Sequence, residues 1–347
     1  MRILVEILHP AHVHVFRHAI NAWRERGDEV LVMSREKECA NALLRAYGIP
    51  FTSISALKRG RLALLSEMAV RDIRMLWAAA RFKPNILVGI MGVTIVQVGK
   101  LIRKPAVVFY DTENAGITNR FVYPLAHSVC TPECYNAPVN GRQVTYPGYH
   151  ELAYLHPNRF SPDPAVVQAL GIDPESDYFI VRFVSWQASH DIGERGLSPE
   201  FKRSVVERLR RRGRVLITSE GELPPDLEEY RFALPPEKMH DVMAFSRMLV
   251  GESATMASES AVLGVPALFI SDTGRGYTDE QERKFELVSN FTTAQETTAL
   301  DRIETILSMP DAKCLFRKRR EALLNSRIDT TEWMLNYIDK VATGADT

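Results

Sequence analysis

Short apolar runs alternate with amphipathic helical segments along the first part of this sequence. The apolar runs carry strand-forming residues on both faces, which is typical of strands in a parallel sheet that helices cover on both sides. Such runs lie at 2–8, 29–34, 85–90, 105–111 and 128–132. Segments with a helical period lie at 14–27, 36–48 and 68–84. The alternation therefore predicts an α/β fold with a doubly wound sheet.

The alternation stops at residues 146–164, where the chain has four prolines and no helical period. It then starts again, with predicted strands at 178–184, 214–218, 230–234, 247–251 and 266–270 and predicted helices at 199–212, 236–246 and 254–264. This repeat predicts two Rossmann-like, doubly wound domains that face each other across a cleft. We place them at 1–148 and 160–328. The helix at 331–341 is a candidate to cross back onto the first domain.

The charge balance limits the class of partner. The chain has 347 residues, with 43 Lys plus Arg and 43 Asp plus Glu. A net charge of zero argues against a nucleic-acid-binding protein, because such proteins gain affinity by releasing counterions with a basic surface. It does not argue against a local pocket for a small anion. Neither half has a GxGxxG, so no dinucleotide and no other cofactor is expected.

Cysteine usage and the N-terminus indicate the compartment. The four cysteines lack zinc spacing, and we expect them to be reduced and structural. They are Cys39, Cys130, Cys134 and Cys314. The start of the chain, MRILVEILHPAH, does not have the pattern of a signal peptide. No apolar run of about 20 residues exists, so we expect no membrane span and a cytoplasmic location.

The stretch GESATMASESAVLGVPALFI, residues 251–270, carries the strongest functional signal. Ser253, Ala254 and Thr255 lie where a helix begins after a strand, and free N–H groups there favour a phosphate. Plain N-capping, with Thr255 and Glu259 close to a capping box, is the alternative. A carboxylate one turn in, at Glu259, can accept hydrogen bonds from the vicinal hydroxyls of a ribose.

These residues resemble the nucleotide-sugar loop of GT-B glycosyltransferases and of the related UDP-N-acetylglucosamine 2-epimerases. The resemblance implies that Ser253, Ala254 and Thr255 bind the diphosphate and that Glu259 binds the ribose. The segment TDEQERKFEL, residues 278–287, resembles the D-x-Q segment that holds the donor sugar in such transferases. It implies sugar contacts by Asp279 and Gln281, although a solvated start of a charged helix is the alternative.

The N-terminal half adds to the resemblance. Residues 110–132 are similar to an epimerase loop, which implies that Asp111 and Glu113 face the cleft; the alternative is that they cap the next helix. Through HPAHVHVFR, DTE, RF, HD and SESAVLGVPA, nearly the whole chain resembles the DUF354 family, which is associated with glycosyltransferases. Four histidines cluster in and directly after its first motif, within residues 8–19: His9, His12, His14 and His18. They lack an HExxH spacing, and GT-B transferases typically need no metal, so no metal site is expected.

The resemblance implies transfer of a sugar from a nucleotide-diphosphate donor, with UDP as the expected carrier, to a saccharide or lipid-linked acceptor. Such a reaction needs a base near the attacking hydroxyl and positive charge near the leaving phosphates. We expect His12 to be the base, with His9 or Glu113 as the next candidates. Arg182 would neutralise the diphosphate, unless it is an ordinary arginine at a strand end.

Two further segments of the second domain are expected at the donor. His190 and Asp191 would close over it, or they form a solvated pair on a loop. Backbone groups of 231–240 would bind the base.

Two alternatives to sugar transfer stay open at this stage. A nucleotide-sugar 2-epimerase is one, although the epimerase motifs GTRPE and HRREN are absent from the sequence. A non-catalytic nucleotide-sugar-binding protein is another. The basic, amphipathic segment 58–83 is a candidate for peripheral contact with the inner face of an anionic membrane. The alternative for that segment is a helix with a solvated face and with its Leu, Met and Trp side chains packed inward. The oligomeric state stays undetermined.

Overall fold

The computed structural model describes residues 1–56, 61–184 and 196–345. These residues form two compact units. The first consists of Met1–Tyr154 and Ile328–Thr347, and the second of Leu155–Arg327. Each unit is built on one sheet, so the architecture follows from two separate sets of strands.

The sheet of the first unit has seven parallel strands. They are β1 Arg2–Ile7, β2 Glu29–Glu36, β3 Thr52–Ala56, β4 Ile86–Ile90, β5 Ala106–Phe109, β6 Ser128–Pro132 and β7 Gln143–Tyr146. Their order is β3-β2-β1-β4-β5-β6-β7. Helices of this stretch are α1 Pro10–Glu25, α2 Ala40–Ala46, α3 Arg61–Phe82, α4 Val93–Ile102, α5 Gly116–Val122 and α6 Leu152–Leu155. The central strands are buried on both faces, as their continuous apolar sequence requires.

The sheet of the second unit has five parallel strands. They are β8 Tyr178–Phe183, β9 Arg214–Ser219, β10 Met248–Gly251, β11 Ala267–Ile270 and β12 Val288–Phe291, in the order β12-β11-β10-β8-β9. Its helices are α7 Pro164–Ala169, α8 Pro199–Arg210, α9 Met239–Phe245, α10 Ala254–Leu263, α11 Gly276–Arg283, α12 Glu296–Leu307 and α13 Ala312–Ser326. The last helix, α14 Thr330–Thr343, belongs to the first unit. The predicted α/β class with two doubly wound sheets is confirmed.

The strand order fixes where ligands are expected in each unit. In an open parallel sheet, a crevice forms where the chain reverses the direction in which it adds strands, outside the carboxyl ends. This reversal lies between β1 and β4 in the first sheet and between β8 and β10 in the second. Residues that follow those strands are therefore the first candidates for a functional site.

Helix α1 begins earlier than the sequence pattern predicts. Pro10 occupies its first turn, and the side chain of His9 caps the helix by accepting a hydrogen bond from the N–H of Ala11. Proline is favoured at this position because its missing N–H would have no partner there. The helix therefore includes His12, which the sequence pattern placed in the preceding turn.

The strand predicted at 230–234 is wrong. Only Arg231 forms a bridge, to Ile217. Residue 230 ends the short 3-10 helix Pro225–Tyr230, and residues 231–234 lie between it and the next one, Pro236–Lys238. The prolines at 235 and 236 have no N–H to donate to a strand ladder. Three short strands that the pattern did not indicate are present instead: β3, β7 and β12.

Helix α3 turns an apolar face to the solvent. Ile73 is 68% exposed and Trp77 is 64% exposed, whereas Met75 and Ala79 are buried. The alternative in which the tryptophan of this segment packs inward is therefore wrong. None of the helices that the structure describes combines the length and the hydropathy needed to cross a bilayer.

A buried group of charged residues lies behind the first sheet. Glu6 of β1 is fully buried, and this burial raises its pKa to about 7, although the nearby Arg71 guanidinium opposes the rise. Arg71 Nε donates to Thr94 Oγ1 over 2.9 Å, and Thr94 Oγ1 donates to Asp72 Oδ1 over 2.7 Å. The carboxyl of Glu6 is thus held among fixed polar groups without bulk water.

The raised pKa of Glu6 predicts a pH dependence of stability. The pKa is about 7 in the folded state against 4.5 for an ordinary Glu. Between those two values the folded state binds a proton that the unfolded state has lost, so the free energy of unfolding falls as pH rises. Glu6→Gln removes this titration. Relative to Glu6→Gln, the wild type should lose about 2 to 3 kcal/mol between about pH 5 and 8. Urea unfolding at several pH values measures this difference, and parallel pH curves for the two proteins would contradict it.

Candidate functional site

The edge of the second sheet at β8 and β10 presents the open end of a helix. Ser253 caps α10, because its Oγ accepts a hydrogen bond from the N–H of Met256 over 3.3 Å. The cap is therefore Ser253 and not a capping box of Thr255 with Glu259. Residues 253–256 are half-buried, whereas the helix is buried from Ala257 onward. The N–H groups of Ala254 and Thr255, in the first turn, have no acceptor within the helix.

A glycine allows this helix to start close to the neighbouring strand. A Cβ on Gly251 would lie 2.2 Å from the carbonyl oxygen of Arg182, which is closer than any real contact. The N–H of Glu252 donates to the same carbonyl over 3.1 Å. The carboxyl end of β8 is therefore fixed against the turn that leads into α10, and it positions Arg182 at this edge.

Glu252 and Arg182 are both held by neighbours at the edge. Glu252 is buried, and its two carboxylate oxygens accept hydrogen bonds from the N–H groups of Val184 and Leu197, over 3.0 and 2.8 Å. Arg182 forms an ion pair with Glu220, which follows β9. His190 and Asp191 lie outside the residues that the structure describes.

Glu259 is buried one turn into α10 and forms a pair with a histidine. Its Oε1 lies 2.9 Å from Nε2 of His240 in α9, and the ring of Phe160 contacts the histidine edge-on, with 6.2 Å between the centroids. Sequence reasoning placed 240 in the segment for base binding but did not assign its side chain.

Asp279 and Gln281 lie on α11, which packs beside α10. Gln281 is buried, and its Nε2 donates to Ser258 Oγ over 2.7 Å. Asp279 is half-buried, and this burial raises the pKa of its carboxyl, with Glu282 contributing in the same direction. Gln281 thus ties the two helices together, and Asp279 is the more accessible of the two predicted sugar contacts.

In the first unit, His9 and His12 follow β1 at the reversal point. The N–H of Leu8 donates to Nδ1 of His12 over 3.2 Å, and the two histidine rings lie 6.0 Å apart. Burial lowers the pKa of His12 well below its usual value, and His9 adds to this effect. No cluster of His, Cys, Asp and Glu with the geometry of a metal site occurs in the described ranges 1–56, 61–184 and 196–345.

Asp111, which follows β5, is paired with a histidine that sequence reasoning missed. Nδ1 of His150 lies 2.9 Å from Oδ2 of Asp111, and the histidine, which follows β7 in the chain, is buried. Burial alone lowers the pKa of His150, but the carboxylates of Asp111 and Glu151 outweigh it and raise the pKa. Both Asp111 and His150 lie close enough to His12 to act on it electrostatically.

Glu113 lies in the loop between Asp111 and α5. Its carbonyl oxygen accepts a hydrogen bond from Nδ2 of Asn119 over 3.4 Å. Helix α5 has Ala115 at its N-cap, with no side-chain capping bond. Neither Asp111 nor Glu113 is thus the N-cap residue of this helix. The structure brings Asp111, His12 and His150 together at the same edge.

Comparison with known proteins gives a family match and a distant relative. The profile of the family described as "Protein of unknown function (DUF354)" matches residues 1–272. An uncharacterized protein of Methanocaldococcus jannaschii, MJ0665, is 22% identical over 277 residues, which cover 76% of this chain and 80% of the relative.

Solved structures share the fold over nearly the full length. The UDP-GlcNAc 2-epimerase of Neisseria meningitidis, solved with UDP-GlcNAc bound, matches with a TM-score of 0.71 and 10% identity, covering 98% of this chain and 100% of that one. The glycosyltransferase VinC, solved in complex with dTDP, matches with a TM-score of 0.64 and 12% identity, covering 99% of this chain and 100% of that one. These similarities show the GT-B fold and confirm that prediction.

Because the buried Glu252 accepts two hydrogen bonds, we expect the substitution Glu252→Gln to lower the stability of the fold. Glu252→Gln replaces one carboxylate oxygen with an NH₂ group, which cannot accept from Val184 or Leu197. Losing a buried bond to a charged group should lower the free energy of unfolding by about 1.5 to 3 kcal/mol. Chemical unfolding of this variant beside Glu222→Gln, an exposed control, measures the effect. Equal stability of the two variants would show that these hydrogen bonds from Val184 and Leu197 to Glu252 do not stabilise the fold.

Proposed function

We propose, from the premise that this chain belongs to the DUF354 family and has the GT-B fold, that its second unit binds a nucleotide-diphosphate sugar. One observation carries the proposal. The reversal point between β8 and β10 holds the half-buried first turn of α10, with Arg182 at the end of the adjacent strand. This combination of free N–H groups, helix dipole and guanidinium favours a diphosphate.

Each part of the donor has a proposed partner in this unit. The N–H groups and hydroxyls of Ser253, Ala254 and Thr255 bind the diphosphate, and Arg182 neutralises its charge. Glu259 accepts hydrogen bonds from the ribose hydroxyls, while His240 holds its Oε1 in place.

The sugar and the base have proposed contacts as well. Asp279 and Gln281 contact the sugar, His190 and Asp191 contact the donor, and backbone groups of 231–240 bind the base. UDP is the proposed carrier.

We propose sugar transfer as the reaction, with a saccharide or lipid-linked hydroxyl as acceptor and with no metal in the step. The support is the cluster of acid–base groups at the corresponding edge of the first unit. His9, His12, Glu113 and Asp111 follow β1 and β5 there. A side chain that takes the proton of the acceptor contributes about 10²- to 10⁴-fold to such a rate.

Incubation with labelled nucleotide sugars separates this proposal from its alternatives. Transfer requires an acceptor and releases the nucleoside diphosphate, whereas a 2-epimerase changes the donor sugar with no acceptor present. A non-catalytic binding protein binds the donor and leaves it intact. NMR of each donor, with and without a pool of saccharide acceptors, distinguishes the three outcomes.

The ribose contact predicts a selective loss of affinity. Glu259→Gln should weaken UDP binding by about 2 kcal/mol, roughly 30-fold, because a hydrogen bond to a charged group is worth about 1.5 to 3 kcal/mol. Binding of inorganic pyrophosphate, which has no ribose, should not change. Titration calorimetry measures both ligands, with Glu222→Gln as the exposed control. An equal loss for both ligands would count against a ribose role.

We also propose that α3 contacts an anionic membrane surface, which would supply a lipid-linked acceptor. Val70, Ile73 and Trp77 are exposed at helical spacing i, i+3 and i+7, so they lie on one face. The guanidinium of Arg81 lies 4.8 Å above the Trp77 ring, and Arg81 is exposed. An exposed apolar stripe beside positive charge favours the interface of an anionic bilayer.

This surface predicts binding to anionic vesicles that depends on the two largest apolar side chains. Ile73→Glu together with Trp77→Glu should reduce co-sedimentation with phosphatidylglycerol vesicles by about tenfold or more, since both burial and charge attraction are lost. Leu101→Glu on α4 is the matched control, because Leu101 is 69% exposed and lies on another helix. The proposal would be contradicted if the wild-type protein did not co-sediment with anionic vesicles. It would also be contradicted if light scattering showed a dimer that the double substitution abolishes.

A further inference from the structure

We propose that His150, oriented by Asp111, is the general base of this transfer, and that His12 acts instead as a hydrogen-bond donor. This inference rests on the proposed function and names the reacting group within it. It assigns a catalytic role to a residue that the sequence motifs did not indicate, and it reverses the expected role of the histidine in the first motif.

The contact between His150 and Asp111 fixes which ring nitrogen carries the proton. Nδ1 of His150 lies 2.9 Å from Oδ2 of Asp111. An ionised carboxylate can only accept a hydrogen bond, so Nδ1 must hold the hydrogen. In the neutral ring the lone pair is then on Nε2, which is the nitrogen that can take a proton.

Nε2 of His150 is an unsatisfied polar atom to which a ligand hydroxyl could donate a hydrogen bond. It is buried and has no hydrogen-bond partner in the part of the chain that the structure describes. A buried polar atom without a partner costs about 1 to 3 kcal/mol, so a hydroxyl bound there would remove that cost. The ring is held in this orientation by Asp111 on one side and by an edge contact with Phe109, whose centroid is 6.4 Å away.

His12 has the opposite arrangement. The backbone N–H of Leu8 donates to its Nδ1 over 3.2 Å, so this nitrogen must carry the lone pair and Nε2 must carry the hydrogen. The lone pair of the neutral ring is therefore already used by the backbone. A second proton is unfavourable as well, because burial lowers the pKa of His12. His12 can donate from Nε2 to an oxygen but is poorly suited to accept a proton.

The transfer step needs no proton acceptor other than His150. Nε2 of His150 takes the proton of the acceptor hydroxyl as its oxygen forms a bond to the anomeric carbon of the donor sugar. The bond from that carbon to the β-phosphate oxygen breaks, and the nucleoside diphosphate leaves with the electron pair. The imidazolium that results carries a proton on each nitrogen. Asp111, bonded to Nδ1, stabilises this cation without taking the proton itself.

The surrounding charges favour this assignment. Asp111 and Glu151 are the carboxylates that act on His150, and both favour the imidazolium, whereas burial opposes it. On His12, burial, His9, His150 and Lys37 all disfavour the cation, and only Asp111 favours it. Of the two histidines, His150 is therefore the one that binds a proton more favourably.

Glutamine substitutions separate a base from a donor, because the Gln amide can donate a hydrogen bond but cannot take a proton at neutral pH. His150→Gln should slow donor turnover by about 10²-fold or more, with water or a saccharide as acceptor, and leave the affinity for UDP unchanged. His12→Gln should lose much less activity, because its amide keeps a donor. His127→Gln, in the first unit and away from this edge, is the unchanged control. Added imidazole should partly restore His150→Ala.

A second measurement needs no substrate. Long-range ¹H–¹⁵N NMR of the histidine-labelled full chain reports which ring nitrogen carries the hydrogen, and the His12→Gln and His150→Gln spectra assign the two rings. At about pH 8 we expect Nδ1–H for His150 and Nε2–H for His12.

The failure of this inference and the failure of the proposed function give different results. A His150 ring with its hydrogen on Nε2, or wild-type turnover by His150→Gln, would overturn the assignment of the base. If the wild-type protein does not bind UDP, the proposed function is overturned instead.

Discussion

Both sheets depend on one constraint, the parallel hydrogen-bonding of every strand with its neighbours. Parallel strands direct all their carboxyl ends to one edge, and each connection must return over a face of the sheet. Residues far apart in sequence therefore meet at that edge. Strands β6 and β7 lie between Asp111 and His150 in the sequence, and yet the two side chains are in hydrogen-bond contact. They meet because β5 and β7 end at the same edge of the sheet.

The edges of the two units differ in chemistry. The edge of the second unit presents backbone N–H groups, the Arg182 guanidinium and the buried Glu259–His240 pair, which suit binding of a charged ligand. The edge of the first unit has His150 paired with the carboxylate of Asp111 and His12 bonded to the backbone, and such histidines suit proton transfer. This separation is what a reaction needs when one substrate leaves as a diphosphate and the other loses a proton.

The sequence predicts the long, strongly periodic elements and the β10–α10 turn, because their signals are local: β-branched runs, a glycine and a cap. It does not predict β3, β7 and β12, which are four or five residues long and carry few apolar residues. His150 was missed for the same reason, since it follows one of those weak strands in the proline-rich segment. The outward position of Trp77 also escaped prediction, because a helical period gives the angle between residues but not which face is covered.

The most direct measurement of the central claim is a crystal structure of the chain with UDP or a UDP-sugar bound. The account predicts phosphate oxygens within hydrogen-bond distance of the N–H groups of Ala254 and Thr255, with Arg182 nearby and the ribose at Glu259. A nucleotide bound elsewhere, with the first turn of α10 left without any phosphate, would contradict it.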